Sequence, residues 1–228
     1  MIDFNDVEQL TYDDNYELVK NVLLLYNVET YNIQNKKFDF NSFYNEKWEL
    51  EHVDSQNKTF TSNSSIKEWL EYVKIALLVF ARNVENQNLL CQCDSFLQSL
   101  ENNTFNKTSF DMFKSQIDDY FAEKDENNNI IRLGDDEKQR IWNLALLDKP
   151  TNIGFSNSPF PSKRQYLIKN RIEKGLFVPI CTERLFLKYY AFTSNDNRPI
   201  NLDLFHWTRD DRVYYLNDIK SKLEKYFN

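Results

Sequence analysis

The alternation of hydrophobic and polar residues divides the chain into segments of helical and of strand period. Apolar residues recur every three or four positions between residues 18 and 26, behind the polar run Asp13-Asp14-Asn15, which predicts an amphipathic helix with its N-cap in that run. Residues 47–53 and 141–147 have the length and composition of strands. A further short strand is predicted at residues 36–40, where polar and apolar residues alternate.

Helical patterns dominate the rest of the chain. Residues 61–126 hold three of them in succession, and their apolar faces are rich in Phe, Tyr, Trp and Leu, which is typical of a core rather than of a ligand site. Later helices are predicted to begin near Pro150, to run from Lys163 to Gly175, and to cover residues 183–192 and 210–227. The sequence therefore predicts an α+β protein that is predominantly α-helical.

The composition narrows these expectations. Hydrophobic residues make up 41% of the 228 residues, enough for a folded core, and the three glycines disfavour a turn-rich β-sandwich. No apolar run reaches the length of a membrane span, and the acidic first residues are unlike a signal peptide, so a cytoplasmic protein without a membrane segment is expected. Cys91, Cys93 and Cys181 lack the number and spacing of a disulfide framework or a zinc site and are expected to be reduced thiols.

Charge is distributed unevenly along the chain. The net charge of −7 opposes binding to nucleic acid, but residues 1–139 hold 13 Lys and Arg against 26 Asp and Glu, whereas residues 140–228 hold 15 against 9. The second part of the chain is thus basic, although charged runs are often only solvated faces.

Polar residues of a particular order follow the two predicted strands. Glu51-His52 lies near the end of the first strand, Asn143 lies on the second, and Asn152 follows nine residues later, past Pro150. The segment then continues as Ser156-Asn157-x-Pro159-Phe160-x-x-Lys163-Arg164. This order resembles the HNH (ββα-metal) nuclease motif, and in particular the nuclease domain of the GmrS/GmrD-type modification-dependent (type IV) restriction family.

The resemblance implies a small ββα-metal core embedded in helices. Residues 1–228 would form a single HNH-like nuclease domain, with a helical insertion at about 61–126 between the two halves of the motif. His52 would be the general base, Glu51 and Asn152 the metal ligands for Mg²⁺ or Mn²⁺, and Asn143 the residue whose amide holds the loop around the site. Regular strand geometry puts Glu51 and His52 on opposite faces, so their joint use requires the strand to end or bulge there.

The resemblance also implies a substrate and a partner. Lys163 would contribute to catalysis, and the residues expected to contact nucleic acid are Lys163, Arg164, Lys169 and Arg171. The substrate would be modified double-stranded DNA, delivered by a ParB-like sensor/NTPase domain or subunit, because the chain has no nucleotide-binding motif of its own. Two alternatives stay open: a catalytically inactive HNH-like subunit for DNA binding or assembly, and a nuclease that acts on RNA. The first gains weight because the proline that the family usually has after the His-Val pair is absent.

Overall fold

The computed structural model describes residues 6–45, 47–55, 60–79, 84–155, 157–175, 177–188 and 203–226, with the backbone alone at residues 150, 153, 154 and 170–174. Within these residues the helices are α1 (Tyr12–Ile33), α2 (Phe40–Asn45), α3 (Asn63–Val79), α4 (Val84–Glu101), α5 (Lys107–Tyr120), α6 (Asp135–Lys138), α7 (Lys149–Phe155), α8 (Phe160–Lys174), α9 (Ile180–Leu187) and α10 (Arg209–Leu223). The strands are β1 (Trp48–His52), β2 (Glu123–Lys124), β3 (Ile130–Ile131) and β4 (Leu144–Asp148). The described chain is mostly helical, which confirms the predicted class, and none of these helices is long and apolar enough to cross a membrane.

The centre of the structure is the antiparallel pair of β1 and β4. Their register runs without interruption from Trp48 opposite Asp148 to His52 opposite Leu144. All five residues of β4 are buried, as expected of a strand covered on both faces. Helix α7 follows β4 directly and packs against both strands. Two strands and a helix therefore form one compact unit, although about 90 residues separate the strands along the chain.

Helices α1, α9 and α10 enclose this unit. Two side chains from them satisfy backbone carbonyls on the outer edge of β4: the Thr182 hydroxyl donates to the Leu146 carbonyl at 2.6 Å, and the Tyr215 hydroxyl donates to the Leu144 carbonyl at 3.0 Å. Because an unpaired carbonyl in the core would cost free energy, these contacts explain how a buried strand needs only one strand partner.

Helices α3, α4 and α5 occupy the connection between β1 and β4, where a helical insertion was expected. They bury a separate apolar cluster in which Trp69, Phe110 and Phe113 pack edge to face. The insertion is attached to the rest of the structure through α3, which packs along α8, and through the Trp69 indole, which donates to the Asn157 carbonyl at 3.3 Å.

Two local predictions were wrong for identifiable reasons. Residues 36–39 are irregular rather than a strand, because Asp39 accepts hydrogen bonds from the amide and hydroxyl of Ser42 and so begins α2. The N-cap of α1 is Thr11, two residues before the acidic run, and its hydroxyl accepts from the Asp14 amide at 3.2 Å.

The bounds of two other elements differ from the predicted ones. Ile141–Asn143 is a 3-10 turn, so Asn143 lies immediately before β4 rather than on it. Helix α9 begins and ends earlier than the predicted helix at residues 183–192, whose last four residues lie outside the described part of the chain.

Candidate functional site

The candidate site surrounds the C-terminal end of β1. The strand is regular, so its side chains alternate: Glu49 and Glu51 point to one face, and Trp48, Leu50 and His52 are buried on the other. No bulge interrupts the pairing with β4 at Glu51 or His52. The carboxylate of Glu51 and the ring of His52 therefore project from opposite faces, and the site extends around the edge of β1 that is not paired with β4.

His52 is enclosed, with 6% of its surface exposed. Its Nε2 lies 3.0 Å from Oε1 of Gln139, and its ring lies against that of Tyr12, with 4.9 Å between the ring centroids. Burial raises the pKa of the Tyr12 hydroxyl, and the nearby hydroxyl of Tyr16 and carboxylate of Glu49 raise it further. The Tyr12 ring thus covers one side of the imidazole.

Glu51 is paired with a buried lysine. The Lys163 ammonium lies 2.5 Å from Oε1 of Glu51 and also donates to the backbone carbonyl of His52. Lys163 is fully buried and Glu51 is 13% exposed. The Lys163 ammonium thus gives the His52 carbonyl, on the open edge of β1, a hydrogen-bond partner and holds the Glu51 carboxylate in place. Glu51 is therefore not the surface carboxylate that a regular strand would suggest.

Asn152 lies over the same acidic face. Its Nδ2 donates to Oε2 of Glu49 at 3.0 Å, which directs its oxygen, the atom that can ligate a hard cation, away from that carboxylate. Lys149 is 3.8 Å from the other oxygen of Glu49. The structure therefore connects Asn152 to Glu49 directly, and Glu51 lies two residues along the same strand face.

The donors on this face are of the type that Mg²⁺ prefers, since carboxylate and amide oxygens suit a small hard cation that keeps several waters. In the part of the chain that the structure describes, no three His, Cys, Asp or Glu side chains are grouped so that they could hold a metal ion. A site here would consist of Glu51, Asn152 and water, with Glu49 beside them and the Lys163 ammonium competing for Glu51.

Asn143 occupies a position from which it holds the loop after β1. It is fully buried. Its Oδ1 accepts from the amide of Asp54 at 2.8 Å, and its Nδ2 donates to the carbonyls of Asp54 at 3.1 Å and Lys138 at 2.9 Å. These bonds use both N–H groups of the carboxamide and one of the two lone pairs on its oxygen. Asn143 therefore ties the loop after β1 to the segment before β4.

The four residues expected to contact nucleic acid have different environments. Lys163 is buried against Glu51, Arg164 is half-buried, and Lys169 is exposed on α8. The side chain of Arg171 lies outside the described residues. Among the three of these side chains that the structure describes, Lys169 is the one that a phosphate could reach freely.

A cleft of about 130 Å³ adjoins the loop held by Asn143, between the insertion and the rest of the chain. Charges of both signs line it, including Asp54, Asp118, Lys138 and Arg212. Burial raises the pKa of Asp118, and the neighbouring Lys114 ammonium opposes this shift. The other histidine, His206, has its Nδ1 2.6 Å from Oδ2 of Asp203.

Three residues of the site were not foreseen in the sequence. Glu49 had a usable signal, because residues two apart on a strand share a face. Gln139 and Tyr12 had none, since they reach His52 only through the tertiary pairing of residues far apart in the chain.

Comparison of the chain with protein-family models, with curated proteins and with solved structures finds no match.

Proposed function

We propose that the protein is a metal-dependent endonuclease that hydrolyses phosphodiester bonds of DNA. The observation that carries this proposal is the order β1, β4, α7 in space: an antiparallel strand pair followed directly by a helix. The residues on which the resemblance to the HNH motif rests lie along this unit. Lys163 bonds Glu51 and the His52 carbonyl at the end of β1, where Asn143 holds the following loop, and Asn152 bonds Glu49 near the start of the strand.

Each side chain has a proposed role. Glu51 and Asn152 would hold Mg²⁺ or Mn²⁺, and Asn143 would keep the loop after His52 in place. His52 would accept a proton from the attacking water, since the ordinary pKa of imidazole lies near neutral pH. Lys163 would fix Glu51. A bound divalent ion supplies stabilisation of charge on the scissile phosphate and on the leaving oxygen.

The same resemblance motivates the proposed substrate and partner. The protein would act in the cytoplasm on modified double-stranded DNA as part of a bacterial restriction system against phage. A separate ParB-like sensor/NTPase domain or subunit would deliver the DNA.

A second function, a catalytically inactive subunit for DNA binding or assembly, is favoured by one observation. The Lys163 ammonium neutralises Glu51, while the His52 ring lies on the opposite face of β1 beneath Tyr12. In a subunit with this arrangement, the HNH-like shell would remain, but a cation bound at Glu51 and the His52 imidazole would not act on the same phosphate.

Plasmid cleavage separates the two functions. Purified protein is incubated with supercoiled plasmid and Mg²⁺ or Mn²⁺, with EDTA as the metal-free control and with RNA as the competing substrate. The endonuclease is expected to nick or linearise DNA only with the metal. The His52→Ala variant should lose about 10²–10⁴-fold in rate, the usual contribution of a general base. The matched control is His206→Ala, which removes the chain's other imidazole and should keep its activity.

Metal binding is measured separately from cleavage. A ligand selective for the folded state stabilises it by roughly 2.7 kcal/mol at a hundredfold excess over its Kd. Mn²⁺ should raise the melting temperature of the wild type and raise it less for Asn152→Ala. Metal-dependent stabilisation without cleavage, on modified and unmodified DNA alike, would support the inactive subunit, and cleavage of RNA alone would overturn the DNA substrate.

A further inference from the structure

Two exposed lysines lie opposite each other just before the start of β1. The pairing of β1 with β4 continues there by one bond, in which the Lys149 amide donates to the Lys47 carbonyl at 2.7 Å. Because the register pairs Trp48 with Asp148, this bond makes Lys47 and Lys149 direct cross-strand neighbours. Both lysines are exposed. Like charges directly opposite each other are destabilising, so this lysine pair lowers the stability of the fold rather than adding to it.

The lysine pair lies on the same face as the carboxylates of the candidate site. Side chains alternate along a strand, so Lys47 shares its face with Glu49 and Glu51. The position of the Lys149 ammonium, 3.8 Å from Oε1 of Glu49, shows that the opposite lysine lies on this face too. Asn152, further along α7, bonds the other oxygen of the same carboxylate. The pair therefore borders the acidic face of β1 at the start of the strand.

The backbone that carries Lys47 is held in place from the opposite face of β1. There the buried Trp48 ring stacks on Phe43 with 5.2 Å between ring centroids, and it meets Phe177 edge to face at 5.7 Å. The bond from the Lys149 amide fixes the Lys47 carbonyl as well. The two lysines are therefore presented from a backbone that is anchored on both strands.

The ammonium groups of the lysine pair are available to a ligand. Among the described residues Lys47 forms no ion pair, and Lys149 meets Glu49 at 3.8 Å in a partly exposed contact. Exposed pairs of this kind are worth about 0–1 kcal/mol, so Lys149 can exchange its partner. The carboxylate of Glu51 is already neutralised by the buried ammonium of Lys163. Of the residues described on this face, two exposed ammonium groups are thus set against the carboxylate of Glu49.

We propose that Lys47 and Lys149 bind a phosphate of double-stranded DNA that flanks the site of cleavage. The proposal rests on the proposed function of the protein as a DNA endonuclease. Lys47 precedes Glu51 by four residues, or about 13 Å along the strand. One strand of duplex DNA rises about 3.4 Å per nucleotide, so this distance corresponds to about four nucleotides. The lysine pair is therefore placed to hold the duplex beside the candidate site rather than to act on the scissile phosphate.

Binding is measured without metal, so that it does not depend on cleavage. Fluorescence anisotropy follows a short labelled duplex in EDTA over a series of salt concentrations. The double variant Lys47→Gln/Lys149→Gln should bind about eightfold more weakly for each lost phosphate contact at about 0.1 M salt. The fall of log affinity with log salt concentration should become less steep by about one for each contact. Lys47→Arg/Lys149→Arg keeps both charges and should preserve binding.

The matched control is Lys67→Gln/Lys107→Gln, which removes two exposed charges from the insertion. Its affinity and salt dependence should stay close to those of the wild type. Equal losses in the two glutamine variants would assign the effect to net charge and overturn the proposal. A wild-type chain that does not bind duplex, or a loss of affinity confined to RNA of the same length, would also overturn it. Thermal melts check folding, and Lys47→Gln/Lys149→Gln should not melt below the wild type, because it removes a repulsion.

Cleavage gives a second readout that separates this proposal from the endonuclease. If the protein cleaves DNA, Lys47→Gln/Lys149→Gln should raise KM more than it lowers kcat, because a flanking phosphate is held equally in the ground state and the transition state. A fall in kcat with unchanged KM would overturn the flanking contact. If no DNA is cleaved under any condition, the endonuclease is refuted, whereas the anisotropy of the lysine variants still decides whether this pair binds DNA.

Discussion

Among single residues, Lys163 holds a charge without access to solvent. Its ammonium is bound by Glu51 and by the His52 carbonyl, and its side chain is fully buried. Removing one member of a buried ion pair usually costs about 3–5 kcal/mol, because the other charge stays buried without compensation. We expect Lys163→Ala to lose stability on this scale, measured as the free energy of unfolding in urea.

The control for that variant is Lys169→Ala. Lys169 lies on the same helix but is exposed, and changes at such positions are usually within about 0.5 kcal/mol. Equal losses for the two lysines would show that the pair with Glu51 contributes nothing. A double variant, Glu51→Gln with Lys163→Met, should recover part of the loss by removing both charges.

The stability of the folded state is expected to depend on pH through Asp118. Burial raises its pKa although Lys114 opposes the shift, so the folded state disfavours the charged carboxylate. Stability contributed by this group should therefore rise as pH falls through the raised folded pKa. It should level off below the ordinary pKa of about 3.9. As pH is lowered from about 7 to about 4, thermal melts should show that the wild type gains stability relative to Asp118→Asn.

Helix α5 supplies a matched control for this measurement. Lys107 and Asp111 form the same i,i+4 pair as Lys114 and Asp118, but on an exposed face. Asp111→Asn removes the same charge without the burial. A relative gain of equal size against Asp111→Asn would assign the effect to net charge rather than to Asp118.

At the scale of elements, the loop after β1 depends on one side chain that precedes β4. Asn143→Ala would leave the Asp54 amide and two carbonyls without their partner. Because each buried group left unsatisfied costs about 1–3 kcal/mol, the free energy of unfolding should fall by at least that of one group. Hydrogen exchange at the Asp54 amide should accelerate as the loop loosens.

The exposed Asn102 offers the comparison. Asn102→Ala should change neither the unfolding free energy nor the exchange of the Asp54 amide appreciably. Slow exchange at Asp54 in Asn143→Ala would mean that other contacts hold the loop.

The elements that the sequence predicted well are those in which burial follows the local pattern. Residues 47–53 contain β1, and Pro150 lies in the first turn of α7. Residues 36–40 alternate like a strand, but the capping bonds of Asp39 favour a helix start, and alternation alone carries no information on capping. Side-chain partners such as Gln139 are set by tertiary pairing and leave no local signal.

At the scale of the whole molecule, the uneven charge governs encounter with DNA. Residues 1–139 repel phosphates and the remainder attracts them. Of the four residues expected to contact nucleic acid, Lys163 is buried against Glu51, and Lys169 is the exposed one among those whose side chains the structure describes. We expect binding by the isolated chain in the range of roughly 10⁻⁴–10⁻⁶ M at physiological salt, weakening as salt is added. Fluorescence anisotropy with duplexes of several sequences measures both properties.

Charge-reversal variants identify the surface that binds DNA. Lys169→Glu should weaken binding to every sequence equally, because phosphate contacts carry no sequence information. Lys107→Glu, exposed on the insertion, should have a smaller effect. Tight, salt-insensitive and sequence-selective binding would contradict this distribution and would assign recognition to this chain rather than to a partner.

The long connection between β1 and β4 has a consequence for biogenesis. At about 5–20 residues per second of translation, β1 leaves the ribosome several seconds before β4 exists. During that interval the edge of β1 that will pair with β4 is exposed, and such an edge can pair with other chains and aggregate. Tyr16 on α1, which is synthesised earlier, bonds the Leu50 amide on the opposite edge of β1, so one of the two edges is already covered. The insertion, with an apolar cluster of its own, has time to condense and bring its two ends together. Closure of a flexible loop of this length would otherwise cost entropy that grows with the logarithm of its length. The nascent chain is thereby prepared for β4 before the strand arrives.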